Sequence, residues 1–177
     1  MRALILAVFT AVVMTACAVL MGCSSATNLA DLTVGDCLKL GGTPDRPQAT
    51  KAACGSPDSN FKVVAVVKPG DGRAQCPADV DSSYSMHNSL SGENSTLCLD
   101  VDWVVGGCMS VDPAHKTDPF RVDCNDASAP HRQRATQILE NLDPPVTADQ
   151  CASGVGYTYT QRRFAVCVED ITNGPRT

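Results

Sequence analysis

"DLTVGDC", residues 31–37, is the stretch that decides the fold, because the chain repeats it as "DWVVGGC" at residues 102–108. Aspartate, valine, glycine and cysteine occupy the same four of the seven positions in both phrases. Leu32 and Trp103 share a further position, and both are large and apolar. A phrase that returns at a distance predicts an internal repeat, in which each copy folds as one structural unit.

The cysteines repeat together with this phrase. The chain has ten cysteines, and eight of them follow the N-terminal region: Cys37, Cys54, Cys76, Cys98, Cys108, Cys124, Cys151 and Cys167. Counted along the sequence, the last four lie 71, 70, 75 and 69 residues after the first four. We therefore predict two versions of one unit, at residues 31–101 and 102–171, packed into one body and followed by a flexible tail at 172–177.

Eight cysteines in an exported chain predict a disulfide framework. A zinc site would need cysteines two to four residues apart, and the closest pair here is Cys98 and Cys108. If both units close their own bonds in the same way, three pairing patterns survive. We favour the pattern that joins neighbours, since the first pair would close a hairpin. It gives Cys37–Cys54, Cys76–Cys98, Cys108–Cys124 and Cys151–Cys167.

Each unit reads as β-β-β-α-β, which makes the predicted fold class α+β and disulfide-rich. The first and second cysteines flank a turn rich in glycine, proline and aspartate, which is typical of a hairpin. "FKVVAVV" at 61–67 predicts a central strand, and its counterpart at 132–142, "RQRATQILENL", begins as a strand at an edge or a solvent face. The third cysteine, Cys76 or Cys151, is expected to open a helix. The fourth lies in the last strand.

The N-terminus predicts export and a lipid anchor. Arg2 precedes an uncharged segment that runs to "LMGC" at residues 20–23, a sequence similar to a bacterial lipobox. We predict a signal peptide at 1–22, diacylglycerol attached to Cys23, and a tether at 23–30 that holds the protein on the outer face of the plasma membrane. Cys17 fits the lipobox less well, and an uncleaved membrane anchor is the alternative.

Composition limits the classes of partner. The net charge is −5 and no polybasic run occurs, so a nucleic-acid partner is not expected. Aromatic residues make up only 5% of the chain, so the cores are small and depend on disulfides. The expected partners are the membrane, through the anchor, and an envelope protein, a cell-wall polymer or a lipid.

Two sets of side chains are candidates for binding. Asp100 and Asp102 would share one face of a strand, where their carboxylates could bind a cation or polarise a water, although acids at strand ends are also common on plain surfaces. The second set is an aromatic and basic patch that could receive an anionic partner or could be a solvated hairpin. It consists of Tyr157, Tyr159, Arg162 and Arg163.

No motif of a known catalytic site occurs: the chain has no GxSxG, HExxH, P-loop or dinucleotide-binding glycine pattern. His87, His115 and His131 fall in predicted loops without a partner at metal-binding spacing. Trp103, the only tryptophan, is expected to pack in the core, as are Tyr84 and Tyr159, which each follow a third cysteine by eight residues. We expect no catalytic residue, cofactor or metal site.

The motifs together resemble a known family. "LTVGDCLKLGG", "CGSPDSNFKVVAVV", "CPADVDSSYSM", "DWVVGGCMSVDP", "CNDASAPHRQRATQIL" and "ADQCASGVGYTY", with the lipobox, resemble the LppU family of mycobacterial lipoproteins and its actinobacterial relatives. The half-unit is also similar to septum-formation-type extracytoplasmic domains. The resemblance implies an exported, membrane-anchored protein with disulfides and without assigned catalytic residues.

These observations predict a non-catalytic binding or accessory module of the cell envelope. The alternatives are a carrier of a small apolar ligand or lipid and an enzyme of envelope metabolism. An enclosed apolar pocket would favour the carrier. A cluster of Asp, His or Ser with perturbed acidity would favour the enzyme.

Overall fold

The computed structural model of the protein describes residues 29–43, 45–68, 72–87, 92–112, 114 and 117–172. The predicted signal peptide, the lipidation site Cys23, nearly all of the tether and the tail beyond residue 172 lie outside these ranges. Within the described residues, no helix has the length and apolarity needed to cross a membrane.

Two five-stranded antiparallel sheets make up the fold. The first contains β1 (Cys37–Thr43), β2 (Arg46–Ala52), β3 (Phe61–Val67), β4 (Ser82–His87) and β5 (Asn94–Val101). The second contains β6 (Cys108–Ser110), β7 (Phe120–Val122), β8 (Arg132–Leu139), β9 (Gly156–Tyr159) and β10 (Phe164–Asp170). Three short 3₁₀ turns lie at Leu29–Asp31, Gly72–Gln75 and Ala148–Gln150.

The two sheets have the same strand order, β2-β1-β3-β5-β4 in the first unit and β7-β6-β8-β10-β9 in the second. The register also repeats, since Cys37 faces Lys62 and Cys108 faces Arg134. Each sheet has a bulge at the same place, where β3 or β8 carries one extra residue, Val64 or Thr136. The internal repeat predicted from the cysteine spacing is therefore a repeat of strand order and register.

The repeated phrase forms the turn that leads into the first strand of each unit. Gly35 and Gly106 have φ of +96° and +83°, a conformation that costs a residue with a Cβ far more than it costs glycine. Gly35 N–H donates to Val63 O at 2.9 Å, and Gly106 N–H donates to Ala135 O at 2.8 Å. The turn therefore fixes the start of the hairpin on the third strand of its own sheet.

Four disulfides staple the sheets, two in each unit: Cys37–Cys54, Cys76–Cys98, Cys108–Cys124 and Cys151–Cys167. These are the pairs that the sequence favoured. In each unit one bond ties the start of the first strand to the end of the hairpin, and the other ties a loop to the middle of the last strand. Every bond stays within its unit, so the contacts between units are non-covalent apart from the chain itself.

Each sheet packs its own apolar core. The first core centres on Leu38, Phe61, Val63, Leu97 and Leu99. The second is smaller and includes Trp103, Met109, Ala135, Tyr159 and Val168. Leu32 and Trp103, the aligned apolar residues of the repeated phrase, are 4% and 8% exposed and lie in the two cores, as expected.

The helix expected after the third cysteine was wrong. In both units the structure describes this region fully, and a turn leads from the cysteine into strand β4 or β9. Only short 3₁₀ turns occur there, and they precede Cys76 and Cys151. The reason is tertiary: β4 pairs with β5 over six residues and β9 pairs with β10 over four, which satisfies an edge that a helix would leave open. The described fold is therefore mostly β.

Strand β3 is central, as predicted, and β8 is a strand, as predicted. However, β8 is not at an edge, since it lies between β6 and β10. Its first residue, Arg132, is 6% exposed because its guanidinium donates to Cys124 O at 2.7 Å and to Thr172 O at 3.3 Å. The arginine at the start of β8 was therefore misleading as a sign of an exposed strand, because backbone carbonyls accept hydrogen bonds from its buried guanidinium.

Candidate functional site

A cleft of about 390 Å³ lies where the two units meet. Its walls come from β3 and β5 of the first unit and from β8 and β10 of the second. Its apolar lining is Val64, Val101, Trp103, Ile138, Phe164 and Val166, and its polar lining is Lys62, Asp100, Asp102, Glu140, Asn141, Tyr159 and Arg162. Clefts of this size and mixed lining are typical of sites for small molecules.

Arg162 lines the cleft and forms hydrogen bonds from the second unit to the first. It lies in the turn between β9 and β10, and its guanidinium makes a two-point contact with the Asp100 carboxylate on β5, with Nη2 3.0 Å from Oδ1 and Nη1 on Oδ2. Its Nε donates to Asp79 Oδ1 at 3.0 Å, and Nη2 also donates to Asp79 O at 2.9 Å. A planar guanidinium suits this geometry because it presents several donors in a fixed fork.

Aromatic rings extend this contact. The guanidinium of Arg162 lies 4.9 Å from the ring centre of Tyr159 and 5.2 Å from that of Phe164, and the two rings stack with centres 4.2 Å apart. The Tyr159 hydroxyl donates to Asp81 Oδ2 at 2.7 Å, which is a further hydrogen bond between the units. Asp81 Oδ2 also accepts from Val101 N–H at 2.8 Å. We call Asp79, Asp81, Asp100, Tyr159 and Arg162 the latch.

A second arginine lies where the two units join. Arg121, on β7, approaches Asp102 Oδ2 at 3.2 Å and donates through Nε to Ser56 O at 3.0 Å. Asp102 Oδ2 also accepts from Gly55 N–H and Ser59 Oγ, each at 2.6 Å. The side chains of Arg121 and Asp102 are 11% and 6% exposed, so this pair is buried.

The latch contains three carboxylates and one arginine, and this imbalance shifts acidities. Burial raises the pKa of Asp100 to about 6; Arg162 opposes the shift, and the charges of Asp81 and Asp79 add to it. Burial also raises the pKa of Asp81, although Val101 N–H, the Tyr159 hydroxyl and Arg162 oppose it. The latch is therefore a place where a proton is held more readily than on a free aspartate.

Two charges in the cleft are left without partners. Lys62 and Glu140 are exposed side chains on opposite walls. Among the residues that the structure describes, neither makes a hydrogen bond or an ion pair. The other charged residues of the lining are all engaged: Asp100 by Arg162, and Asp102 by Arg121. The indole N–H of Trp103, closed off from solvent, also has no acceptor in the described part of the chain.

Asp100 and Asp102 both line the cleft, where the first pairs with Arg162 and the second with Arg121. The predicted aromatic and basic patch is also used within the protein. Arg162 and Tyr159 form the latch, Tyr157 donates to Gln133 Oε1 at 2.6 Å, and Arg163 donates to Leu142 O at 2.8 Å. Both candidate sets therefore hold the fold together instead of presenting a free binding surface.

The histidines and tyrosines differ in detail from expectation. His87 is the last residue of β4, not a loop residue, and its Nδ1 lies 2.6 Å from Asn94 Oδ1. His131 is in a loop, 3.6 Å from Asp112, and His115 lies outside the described residues. Tyr84 faces Leu97, and the residue in the equivalent place facing Val166 is Tyr157, not Tyr159. Tyr84 and Tyr159 do both pack against the cores.

Sequence reasoning missed the arginines as partners of the aspartates, and with them the cleft. The sequence held one sign of this, since Asp100 lies in a largely apolar strand, where a buried carboxylate needs a cation from elsewhere in the chain. A second recess, of about 580 Å³, also lies between the units and is lined by Leu40, Asn60, Asp118 and Phe120 among others. The Asn60 amide at this recess is already bonded to Leu40 and to Pro119 O.

One group of potential metal ligands occurs in the described residues. It consists of Cys37, Cys54 and Asp102, whose ligand atoms lie within 4.8 Å of one another. Metals bind the thiolate form of cysteine, and these two sulfurs are bonded to each other. The group therefore cannot act as a metal site while the disulfide is intact.

Comparison with family models, with curated proteins and with solved structures found no match to this chain.

Proposed function

We propose that this protein is an exported lipoprotein of the LppU type, anchored through Cys23 to the outer face of the plasma membrane. In this proposal its body binds a small molecule in the cleft between the units and does not catalyse a reaction. The lipobox and the disulfide pairs support the location, because disulfides persist in oxidising compartments.

The cleft is the observation that carries the binding proposal. Both units contribute to it, and its walls alternate apolar side chains with charged ones. An interface that served only to hold the two units together could be closely packed and would not require a cleft. A few polar groups among apolar walls are the usual composition of a small-molecule site.

The lining favours binding over catalysis. Among the described residues that line the cleft there is no histidine, serine or cysteine. Asp100, whose acidity is perturbed, has both of its oxygens bonded to Arg162, and these bonds compete with any substrate proton for the carboxylate. The opening to solvent and the polar half of the lining also fit a reversible binding site better than an enclosed carrier of apolar molecules.

Trp103 supplies a direct assay, since it is the only tryptophan and it lines the cleft. The full lipoprotein in lipid nanodiscs would be titrated with four six-carbon probes: hexan-1-ol, hexanoic acid, hexylamine and 2-aminohexanoic acid. We expect a saturable change in Trp103 fluorescence with at least one of them, relative to empty nanodiscs.

Ile138→Phe is the matching variant, because Ile138 is 37% exposed at the cleft and a larger ring narrows the space. We expect it to weaken binding at least fivefold. Val34→Phe, at a 64% exposed position outside the cleft lining, is the control and should leave binding unchanged. Binding that is insensitive to Ile138→Phe, or no saturable signal with any probe, would refute the cleft as a site.

The anchor is tested separately by mass spectrometry of the protein extracted from membranes. We expect a mature chain that begins at Cys23 and carries acyl groups. A free Cys23 thiol, or a chain that retains residues 1–22, contradicts the proposed lipidation.

A further inference from the structure

Comparison of the two units shows that Lys62 lacks the kind of partner that its counterpart has. Arg134 occupies in the second unit the place of Lys62 in the first, because they face Cys108 and Cys37. Across the sheet, Arg134 faces Glu169 and Lys62 faces Asp100. Arg134 and Glu169 form an ion pair of 3.0 Å, whereas Asp100 turns to Arg162 of the other unit. The Lys62 ammonium is therefore left at the cleft without a partner among the described residues.

The opposite wall presents the opposite charge. Glu140 follows β8 directly and lines the cleft together with Ile138. It is exposed and, within the described part of the chain, bonded to nothing. Each wall therefore offers a free charge two residues from an apolar side chain of the lining: Lys62 with Val64 on the first unit, and Glu140 with Ile138 on the second.

We propose that the cleft binds a small zwitterion with an apolar side, whose anion meets Lys62, whose cation meets Glu140, and whose apolar part lies between Val64 and Ile138. This inference rests on the proposed function and specifies its ligand. Free apolar amino acids and the ends of short peptides share this chemistry.

Selectivity follows from the pair of free charges. A ligand with only an anion meets attraction at Lys62 and repulsion at Glu140, and a ligand with only a cation meets the reverse. A neutral ligand gains from the apolar walls alone. A zwitterion gains from both charges at once, and long side chains such as lysine and glutamate can adjust to reach it.

The four probes test this directly, since each has six carbons and they differ in the polar or charged groups that they carry. We expect 2-aminohexanoic acid to bind about tenfold more tightly than hexan-1-ol, hexanoic acid or hexylamine. If the neutral alcohol binds equally well, the zwitterion proposal is wrong while the cleft remains a binding site. If no probe binds, the proposed function fails and this inference fails with it.

Charge reversal provides the stronger test. Lys62→Glu and Glu140→Lys should each weaken binding of 2-aminohexanoic acid about tenfold, and the double variant should restore most of it, because the ligand can then bind in the reversed orientation. The Lys39→Glu/Asp58→Lys double variant, an exposed ion pair outside the cleft, is the control and should not change binding.

All these positions are exposed, so folding should survive, and the milder Lys62→Gln and Glu140→Gln variants serve if it does not. Each neutral variant should weaken binding of the zwitterion by about threefold. Recovery in the double variant supports the proposal. Additive losses in the double variant, or single variants that bind like the parent, overturn it.

Discussion

The two units share a sheet, a strand order, a bulge and a pair of disulfides, yet they differ at the last strand. Asp100 on β5 corresponds to Glu169 on β10, since both lie two residues after the fourth cysteine of their unit. Asp100 is 6% exposed and holds an arginine of the other unit, whereas Glu169 pairs at the surface with Arg134 of its own unit. The same position therefore forms an ion pair between the units in the first unit and an exposed ion pair within the unit in the second.

The position two residues further on, just after the last strand, shows a similar difference between the units. Asp102 and Ile171 are equivalent, because their N–H groups donate to Asn60 O and Arg132 O, each at 2.9 Å, at the same place in the two sheets. Asp102 binds Arg121, and Ile171 is a buried apolar residue. The second unit therefore folds without an aspartate at either place. Both aspartates are explained by the need to hold a second unit beside the first.

The repeated phrase also contains a position at which the two units differ, and there each residue contacts only its own unit. Asp36 accepts from Thr33 N–H at 2.9 Å and pairs with Lys51 at 2.8 Å. The hydrogen bond from Lys51, followed by those from Thr33, lowers the pKa of Asp36 to about 2. Gly107 stands in its place, where a Cβ would meet Val104 O at 3.1 Å. The turn is therefore closed by a side chain in one unit and by close backbone packing in the other.

Removing the disulfide between loop and last strand is the largest change that tests the equivalence of the units. We expect Cys76→Ala/Cys98→Ala and Cys151→Ala/Cys167→Ala to lower the free energy of unfolding by about 3 kcal/mol each, because the closed loops of 22 and 16 residues differ little in entropy. Denaturant unfolding measures both. A loss confined to one variant would show that only one unit carries the stability.

The equivalent positions Arg121 and Lys51, which face Met109 and Leu38, separate the interface from the surface. Arg121→Ala should cost about 3 kcal/mol, since it leaves Asp102 buried without its cation. Lys51→Ala should cost less than about 1 kcal/mol, because its pair with Asp36 is partly exposed. Equal losses in denaturant unfolding would contradict the assignment of Arg121 to the interface.

The two tyrosines of β9 also compare a hydrogen bond between the units with one inside a unit, and the expected losses of stability are smaller. Tyr159→Phe removes a donor that crosses to Asp81, and we expect a loss of about 1–2 kcal/mol because that carboxylate is already short of partners. Tyr157→Phe removes a bond within the second unit and should cost about 0.5–1 kcal/mol. Thermal unfolding of both variants is the measurement, and a reversed order argues against the latch.

The latch also predicts how stability depends on pH. The pKa of Asp100, about 6, lies above that of an unfolded aspartate, and the pKa of Asp81 is raised as well. The folded state therefore binds more protons between about pH 4 and 6, so the free energy of unfolding should rise as the pH falls from 7.5 to 5. At lower pH the lowered pKa of Asp36 acts in the opposite direction, and stability should fall.

Asp100→Asn tests the source of this dependence. It removes the group that takes up the proton, so the rise in stability between pH 7.5 and 5 should shrink. Urea unfolding at the two pH values measures the change. A variant that keeps the full pH dependence of the parent would place the responsible group outside the latch.

The two units, the central strand and the hairpins could be predicted from the sequence because they depend on local and periodic patterns. The cysteine spacing indicated two units, the valines of β3 indicated a central strand, and glycine and proline marked the hairpins. The interface could not be predicted from the sequence, because Arg162 contacts Asp100 and Asp79, which precede it by 62 and 83 positions in the chain. No local pattern fixes such a distance. The helix prediction failed for the same reason, since the open edge of β5 decides the structure of residues 82–87.

The most direct test is a comparison of two double-mutant cycles, one on an ion pair between the units and one on an ion pair inside a unit. The first combines Arg162→Ala with Asp100→Ala across the interface, and the second combines Arg134→Ala with Glu169→Ala within the second unit. Denaturant unfolding should give a coupling free energy of about 2–3 kcal/mol for Arg162 and Asp100 and less than about 1 kcal/mol for Arg134 and Glu169. Equal coupling in the two cycles would contradict the claim that the first pair joins the units.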